Sequence, residues 1–173
     1  MNTSGLGDGS AAPLVAIYTA DYSTRDPVLQ DIHIAYSLDG GETFTQYAGN
    51  PVITAGQRKF GDPKVFWHDP TERWIMVNIC GLGQGHVVLY ASPDLKVWTR
   101  LSEFHAPGVA PGTWECHDLF PLAVDGSPDE VYWVLKVNCV TFGDSPPATL
   151  FFVVSFDGRR FTDAVPAGRS LTS

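Results

Sequence analysis

The sequence predicts an all-β protein with the architecture of a partial β-propeller. No segment combines an apolar period of 3.6 residues with capping residues at its ends, so helices are not expected. Short β-prone runs alternate with turns rich in Gly, Pro, Asp and Ser, which is typical of antiparallel sheets. A Ser/Asp turn followed by an aromatic residue occurs three times, at Asp39, Asp94 and Asp157, spaced by 55 and then 63 residues. That interval suits one four-stranded propeller blade.

The composition bounds the class of protein and of its partners. Of 173 residues, 44% are hydrophobic and 17% are charged, which is enough apolar material for a packed core. The formal charge of −8 argues against nucleic acid and anionic membranes, since both require a positive surface. No apolar run approaches the roughly 20 residues of a membrane span. A neutral substrate such as a sugar is compatible with this charge.

Residues 1–12 are rich in Gly and Ser and predict a flexible leader. They lack the charged and apolar regions of a signal peptide, which leaves both a cytoplasmic and a secreted parent protein open. Cys80, Cys116 and Cys139 have no Cys-x-x-Cys spacing, which argues against zinc and redox motifs. We therefore expect buried free thiols, no metal site and no cofactor.

Residues 13–48 predict the outer strands of a first, incomplete blade. Apolar runs indicate strands at 14–19 and 32–36, and the glycines of 38–41 supply the positive φ that a hairpin turn requires before a return strand at 43–47. The following stretch, 50–61, is predicted to be a loop.

Two complete blades follow, at 60–102 and 114–163. The strands predicted for the first are 64–68, 73–79, 87–91 and 96–100. Those predicted for the second are 119–124, 131–137, 150–154 and 160–162. The repeat pairs Asp62 with Asp118 and Trp74 with Trp133.

We thus expect one partial propeller domain over 13–173, with about two and a half blades. Because propellers close with 4–8 blades, such an arc indicates a piece of a larger domain. Its open blade edges favour self-association.

Acidic residues open an apolar strand in each complete blade. The first stretch is FGDPKVFW at 60–67, and the second is WECHDLF at 114–120. Two acids delivered by equivalent strands are a way for a repeat fold to build a site for acid/base chemistry. The candidates are Asp62, Glu115 and Asp118. The alternatives are an Asp62 that merely forms a turn before Pro63 and a solvated Glu115 at a strand end.

The stretch 60–67 resembles the Arg-Asp-Pro motif of glycoside hydrolase family 32, which contains invertases, inulinases, levanases and related β-fructosidases. The stretch 114–120 resembles the Glu-Cys-Pro-Asp motif of that family. The stretch FFVVSFDG at 151–158, with Phe161, is similar to a third family segment. The resemblance covers residues 13–163.

This resemblance implies a five-bladed propeller that hydrolyses the glycosidic bonds of sucrose or fructans with retention, using two carboxylates. By motif position, Glu115 is the implied general acid/base and Asp62 the implied transition-state stabiliser. The residues implied to surround a fructose-containing saccharide are Gly61, Trp114, Cys116, His117 and Asp118. Trp114 is either a sugar-stacking platform or a core residue.

Three departures from the family pattern stand out. Nothing matches the Asn-Asp-Pro-Asn-Gly motif that carries the family's nucleophile. Gly61 occupies the position of the motif arginine, and His117 the position of the usual proline. Loss of the nucleophile removes orders of magnitude of rate, so we expect the chain alone to be inactive or weak.

Two other function classes compete with this interpretation. One is a non-catalytic carbohydrate-binding propeller fragment that retains Asp62 and Glu115. The other is a sialidase-like propeller, because SLDGGETF at 37–44 resembles the sialidase Asp-box. That box stabilises a turn, and a sialidase needs an arginine cluster that a chain with 11 basic residues poorly supplies.

Overall fold

The computed structural model describes residues 3–7, 9, 12–83, 85–106, 112–140, 147–163 and 169–170. Within these ranges the chain forms three antiparallel sheets and one 3-10 turn at Asp69–Thr71, where a turn was predicted. The all-β prediction is confirmed. That turn is far too short to cross a membrane, and no longer helix occurs in the described ranges.

The first sheet has the order β1-β2-β3, and β4 also pairs with β2. Ile32 and Ile34 of its second strand are fully buried, as the alternation of the sequence predicts. The loop predicted at 50–61 is wrong, because Ile53 and Ala55 pack against a buried cluster and pair this segment with β2. The strands are β1 (Leu14–Asp21), β2 (Gln30–Ser37), β3 (Thr45–Gln46) and β4 (Ile53–Gln57).

The second sheet has the simple order β5-β6-β7-β8. Its strand β6 is mostly apolar, and its last six residues are buried on both faces of the sheet. Its first strand begins earlier than predicted and includes the stretch around Asp62. The strands are β5 (Phe60–His68), β6 (Arg73–Cys80), β7 (His86–Ser92) and β8 (Thr99–His105).

The third sheet has the order β12-β11-β10-β9, with β13 on β11. Its first strand starts at Thr113 rather than at 119, so the stretch around Glu115 is part of a strand and not of the loop before it. The strands are β9 (Thr113–Val124), β10 (Ser127–Val140), β11 (Ala148–Phe156), β12 (Phe161–Asp163) and β13 (Arg169–Ser170).

Two apolar layers hold the sheets together. One layer lies between the first and second sheets and centres on Phe60 and Met76, both fully buried. The other lies between the second and third sheets and includes Leu89, Leu119 and Leu135. Each fully buried side chain of this size contributes about 1.5–3 kcal/mol relative to exposure. The layers place β5 beside β9.

The recurrent Ser/Asp turns are confirmed as structural. The Ser37 hydroxyl donates to Asp39 Oδ1 at 2.6 Å, and the Thr43 amide donates to the same oxygen at 3.0 Å. Hydrogen bonds from the Ser37 and Thr43 hydroxyls hold the pKa of Asp39 well below its usual range. Asp94 accepts equivalent backbone hydrogen bonds in the second sheet. The residues of this motif therefore fix turns rather than perform chemistry.

Residues from the N-terminal stretch contact the second sheet. Ser4 and Leu6 are buried, and the Trp74 indole N–H donates to the Thr3 hydroxyl at 2.9 Å. The division into a leader at 1–12 and one domain at 13–173 stays a prediction.

Candidate active site

The two acidic stretches lie in β5 and β9, each the first strand of its sheet. In β5, Gly61 pairs with Ile79 and Lys64 pairs with Val77, so two residues oppose one. In β9, Glu115 pairs with Asn138 and Asp118 pairs with Lys136, again leaving two residues opposite one. Both strands therefore carry a β-bulge with one extra residue, a feature that re-aims side chains next to functional sites.

In each bulge, the first of the two residues that oppose a single partner has a left-handed backbone. Asp62 has a φ of 54° and Cys116 a φ of 47°, a region that residues other than glycine rarely adopt. The Cys116 amide donates to Asp62 Oδ2 at 3.1 Å, so one bulge supplies the carboxylate and the other the backbone donor. Such outliers persist where the surroundings hold them, and they cluster at functional sites.

The bulges also set which positions are equivalent. Aligned by register, Asp62 corresponds to Cys116, Gly61 to Glu115, and Lys64 to Asp118. The predicted repeat pair of Asp62 with Asp118 is therefore wrong by two residues. The two candidate acids come from neighbouring, non-equivalent positions of one shared backbone frame.

Three lysines contact polar groups around the bulges, two of them carboxylates and one a backbone carbonyl. Lys59 Nζ lies 2.8 Å from Glu115 Oε1, and Lys64 Nζ lies 2.8 Å from Asp118 Oδ1. Lys136 Nζ donates to the Cys116 carbonyl at 3.0 Å. Sequence reasoning missed the lysines at 59 and 136, because nothing in their local pattern indicates a contact across strands.

Thr19 of β1 fixes the β5 bulge from the side of the first sheet. Its hydroxyl accepts a hydrogen bond from the Asp62 amide at 3.0 Å. A Cβ placed on Gly61 would lie 2.6 Å from Thr19 Oγ1, so a side chain here requires Thr19 to move. Gly61 therefore allows the close approach that holds Asp62 in place, and it presents no group of its own to a ligand.

Trp114 lies beneath Glu115 and is only 1% exposed. Its ring packs on Phe152 at a centroid distance of 5.6 Å and covers Gly85, where any Cβ would meet the indole. The structure thus places this residue in the core, and a sugar-stacking role stays a prediction. Its indole nitrogen has no hydrogen-bond partner among the described residues.

His117 is buried and joins the second and third sheets. Its Nε2 lies 2.8 Å from the Val77 carbonyl oxygen, which can only accept, so Nε2 carries the proton. Burial lowers the pKa of His117 below its ordinary value, outweighing the nearby Asp62 and Asp118 carboxylates. The ring is therefore neutral at pH 7.

Cys80, Cys116 and Cys139 form no disulfide. Cys80 and Cys139 are buried, but the expectation of burial is wrong for Cys116, which is exposed because its left-handed backbone turns it outward at the bulge. Asp118 is half-exposed and held by Lys64. The described ranges contain no cluster of three His, Cys, Asp or Glu side chains that could hold a metal ion.

This arrangement offers two carboxylates with different surroundings. Asp62 is anchored by a backbone donor, which suits an ionised group that grips hydroxyls. Glu115 has a side chain that is 40% exposed and touches only Lys59 through Oε1 in the part of the chain that is described. Its second oxygen is open to a ligand, which suits proton transfer.

The chain is similar to known glycoside hydrolases. The family model described as glycosyl hydrolases family 32 N-terminal domain matches residues 3–171. A levanase from Bacillus subtilis is 43% identical over 173 residues, which is 98% of this chain and 24% of the relative. An extracellular exo-inulinase from Aspergillus niger is 38% identical over 195 residues, covering 98% of this chain and 35% of the relative. The chain therefore spans a quarter to about a third of these relatives.

A solved structure gives the same result. The β-fructofuranosidase from Schwanniomyces occidentalis, complexed with fructosyl-erythritol, superposes with a TM-score of 0.84 at 34% identity. The match covers 98% of this chain and 32% of the other. This likeness confirms the partial propeller assignment.

Proposed function

The chain belongs to glycoside hydrolase family 32, and on that premise we propose that it is a segment of a β-fructosidase-like enzyme acting on sucrose or fructans. The observation that carries the proposal is the junction of the two bulges, where the Cys116 amide binds the Asp62 carboxylate beside Glu115. In this proposal hydrolysis proceeds with retention and requires a second carboxylate as nucleophile.

The proposed roles follow from the surroundings of each acid. Glu115 gives a proton to the leaving oxygen and later takes one from water, since its Oε2 is open to a ligand. Asp62 binds fructosyl hydroxyls through its carboxylate, stabilising the positive charge that develops in the transition state. Gly61, Trp114, Cys116, His117 and Asp118 are proposed to shape the substrate site, chiefly by packing and backbone placement.

The proposed ligand is a fructose-containing saccharide. Two solved relatives from Schwanniomyces occidentalis hold fructosyl-erythritol and fructose. A neutral saccharide also suits a chain with a formal charge of −8, whose site lysines are engaged with carboxylates and a carbonyl. Self-association through open sheet edges is a further proposal, as is the division into a leader at 1–12, an incomplete blade at 13–48 and blades at 60–102 and 114–163.

A second candidate is a carbohydrate-binding role without turnover. It is favoured by the absence of any match to Asn-Asp-Pro-Asn-Gly in the sequence, since a retaining mechanism fails without its nucleophile. Both candidates share saccharide binding at Asp62 and Glu115, and they differ in whether bonds are cleaved.

Two measurements on the purified chain test this proposal. Fructose release from sucrose, inulin and levan is expected to stay at the level of the Glu115→Gln variant, because no nucleophile is present. Robust release that Glu115→Gln abolishes would overturn the proposed inactivity of the chain and support hydrolysis.

The second measurement is binding of fructose, followed by amide chemical shifts. We expect saturable shifts around Asp62 and Glu115, with binding weakened about tenfold by Asp62→Asn through the loss of a charged hydrogen-bond acceptor. Asp125→Asn, an exposed turn change with the same chemistry, is the matched control. A folded chain that binds neither fructose nor sucrose contradicts the proposed function.

A further inference from the structure

We infer that Lys59 is the positioning residue for Glu115, and that it supplies from the segment before β5 the cation that position 61 lacks. This inference rests on the proposed acid/base role of Glu115. Lys59 lies outside both acidic motifs, and its contact with Glu115 joins residues 56 apart in the sequence.

The contact is short and partly shielded. Lys59 Nζ lies 2.8 Å from Glu115 Oε1, and the lysine side chain is 17% exposed. An ammonium that is mostly removed from water interacts more strongly with its partner than an exposed one, because water screens it less. The Glu115 carboxylate, by contrast, remains 40% exposed and accessible to a ligand.

The backbone of Lys59 is pinned on both sides. Its carbonyl accepts a hydrogen bond from the Gly81 amide at 3.0 Å. The next residue, Phe60, is fully buried, and its amide donates to Gln30 Oε1 at 3.0 Å. The lysine side chain therefore starts from a fixed point, which reduces the entropy lost in holding the ion pair.

A side chain at position 61 would require Thr19 to move. Thr19 Oγ1 would lie 2.6 Å from a Cβ there, and Thr19 Cγ2 would lie at 2.9 Å. The same threonine accepts the hydrogen bond from the Asp62 amide, so moving it aside would release the bulge. A positive charge for Glu115 must consequently come from a neighbouring position, and Lys59 provides it.

The other charged groups near Glu115 have different partners. Lys64 of β5 pairs with Asp118, and Lys136 of β10 binds the Cys116 carbonyl. Asp62 accepts from the Cys116 amide. Among the described residues, Lys59 is thus the cation that contacts the Glu115 carboxylate.

The ion pair has a chemical consequence for the two carboxylate oxygens. Because Lys59 engages Oε1, Oε2 is the oxygen left to exchange a proton with a leaving group. A general acid must be held close to its hydrogen-bonding geometry to be effective, and fixing one oxygen restricts the orientation of the other. Lys59 thereby orients Glu115 without touching the substrate itself.

Fructose titration of the folded chain by amide chemical shifts tests this inference. We expect Lys59→Gln to weaken binding by about fivefold through loss of the charged hydrogen bond, and Lys59→Arg to restore it to within about twofold. Arg100→Gln, which breaks an exposed ion pair with Glu103 on β8, outside both bulges, is the control and should stay within about twofold of wild type. Wild-type affinity in a folded Lys59→Gln variant overturns the inference.

Spectra of the lysine ammonium groups separate this inference from the proposed function. In the wild-type chain the Lys59 ammonium should show a hydrogen-bond coupling to the Glu115 carboxylate carbon, and Glu115→Gln should abolish it while leaving the Lys64 signal unchanged. If fructose does not bind but the coupling is present, the proposed function fails and the positioning contact stands. If the coupling is absent while that of Lys64 to Asp118 is seen, the inference fails.

Discussion

The bulges of β5 and β9 have the same pattern of strand pairing and the same left-handed position, but they differ in every side chain. The four residues in β5 are Gly61, Asp62, Pro63 and Lys64, and their equivalents in β9 are Glu115, Cys116, His117 and Asp118. In β5 the left-handed position carries a carboxylate, whereas in β9 the acid precedes that position. The comparison teaches that a repeated frame can deliver two acids to one place from non-equivalent positions.

The surroundings of the two bulges explain this division. At the first position of the β5 bulge, Thr19 of the neighbouring sheet fills the space that a side chain would need. At the same position in β9, the Glu115 side chain is partly exposed and contacts Lys59. One bulge therefore packs closely against the first sheet, whereas the other places a carboxylate where it is partly exposed to solvent.

The largest expected effect comes from adding a side chain to the crowded bulge. Gly61→Ala should destabilise the chain by about 2–3 kcal/mol, because its methyl group overlaps Thr19 and displaces the hydrogen bond to the Asp62 amide. Glu115→Ala at the equivalent position should cost at most about 1 kcal/mol, since it removes only a partly exposed ion pair. Urea unfolding measures both.

A second-site change shows whether Thr19 is the cause. Thr19→Ala removes the two atoms nearest to the added methyl group, so the double variant Thr19→Ala/Gly61→Ala should be more stable than the sum of the single changes predicts. Strict additivity of the two effects would mean that the crowding does not act through this threonine.

These differences explain which parts of the molecule the sequence could predict. Apolar runs such as β6 indicate their strands directly, and motif resemblance finds Asp62 and Glu115. The bulges cannot be predicted, because one extra residue shifts the alternation of the strand and has no sequence signature of its own. The predicted repeat pair of Asp62 with Asp118 is wrong for this reason.

Contacts between sheets were equally hidden. The ion pair of Lys59 with Glu115 depends on how two strands lie side by side, and neither residue has a local pattern that points to the other. β4 was missed for a related reason, since its short apolar alternation lies between Pro51 and Gly56 and gains stability only from packing.

The next largest effect is expected when the third residue of the β9 bulge, His117, is replaced by the proline found at the equivalent position in β5. Pro63 and His117 are equivalent, and each follows a residue with left-handed φ, so His117→Pro should be accepted by the backbone. At pH 7.5 the variant should lose about 1 kcal/mol, because the buried hydrogen bond to the Val77 carbonyl disappears.

The stability difference between the wild type and His117→Pro should become smaller at acidic pH. The pKa of His117 is lowered by burial, so below its ordinary value of 6.5 the unfolded chain binds a proton that the folded chain does not, and wild-type stability falls with falling pH. The variant lacks this loss. Unfolding free energies of the wild type and of the variant between pH 7.5 and 5 measure the difference. A gap that is constant over this range would contradict the assignment of a neutral, buried ring.

The smallest effect is expected at the fourth position of the bulges, where Lys64 and Asp118 form an ion pair between equivalent sites. Both side chains are about 40% exposed, at 38% and 43%, so water and salt screen their attraction. A double-mutant cycle with Lys64→Gln and Asp118→Asn should give a coupling energy of about 0.2–1 kcal/mol at low salt that largely disappears near 1 M NaCl. A coupling that persists in high salt would show that the pair of Lys64 and Asp118 is shielded from water like the pair of Lys59 and Glu115. The two ion pairs would then no longer differ as a surface contact and a site contact, and the comparison of the two bulges depends on that difference.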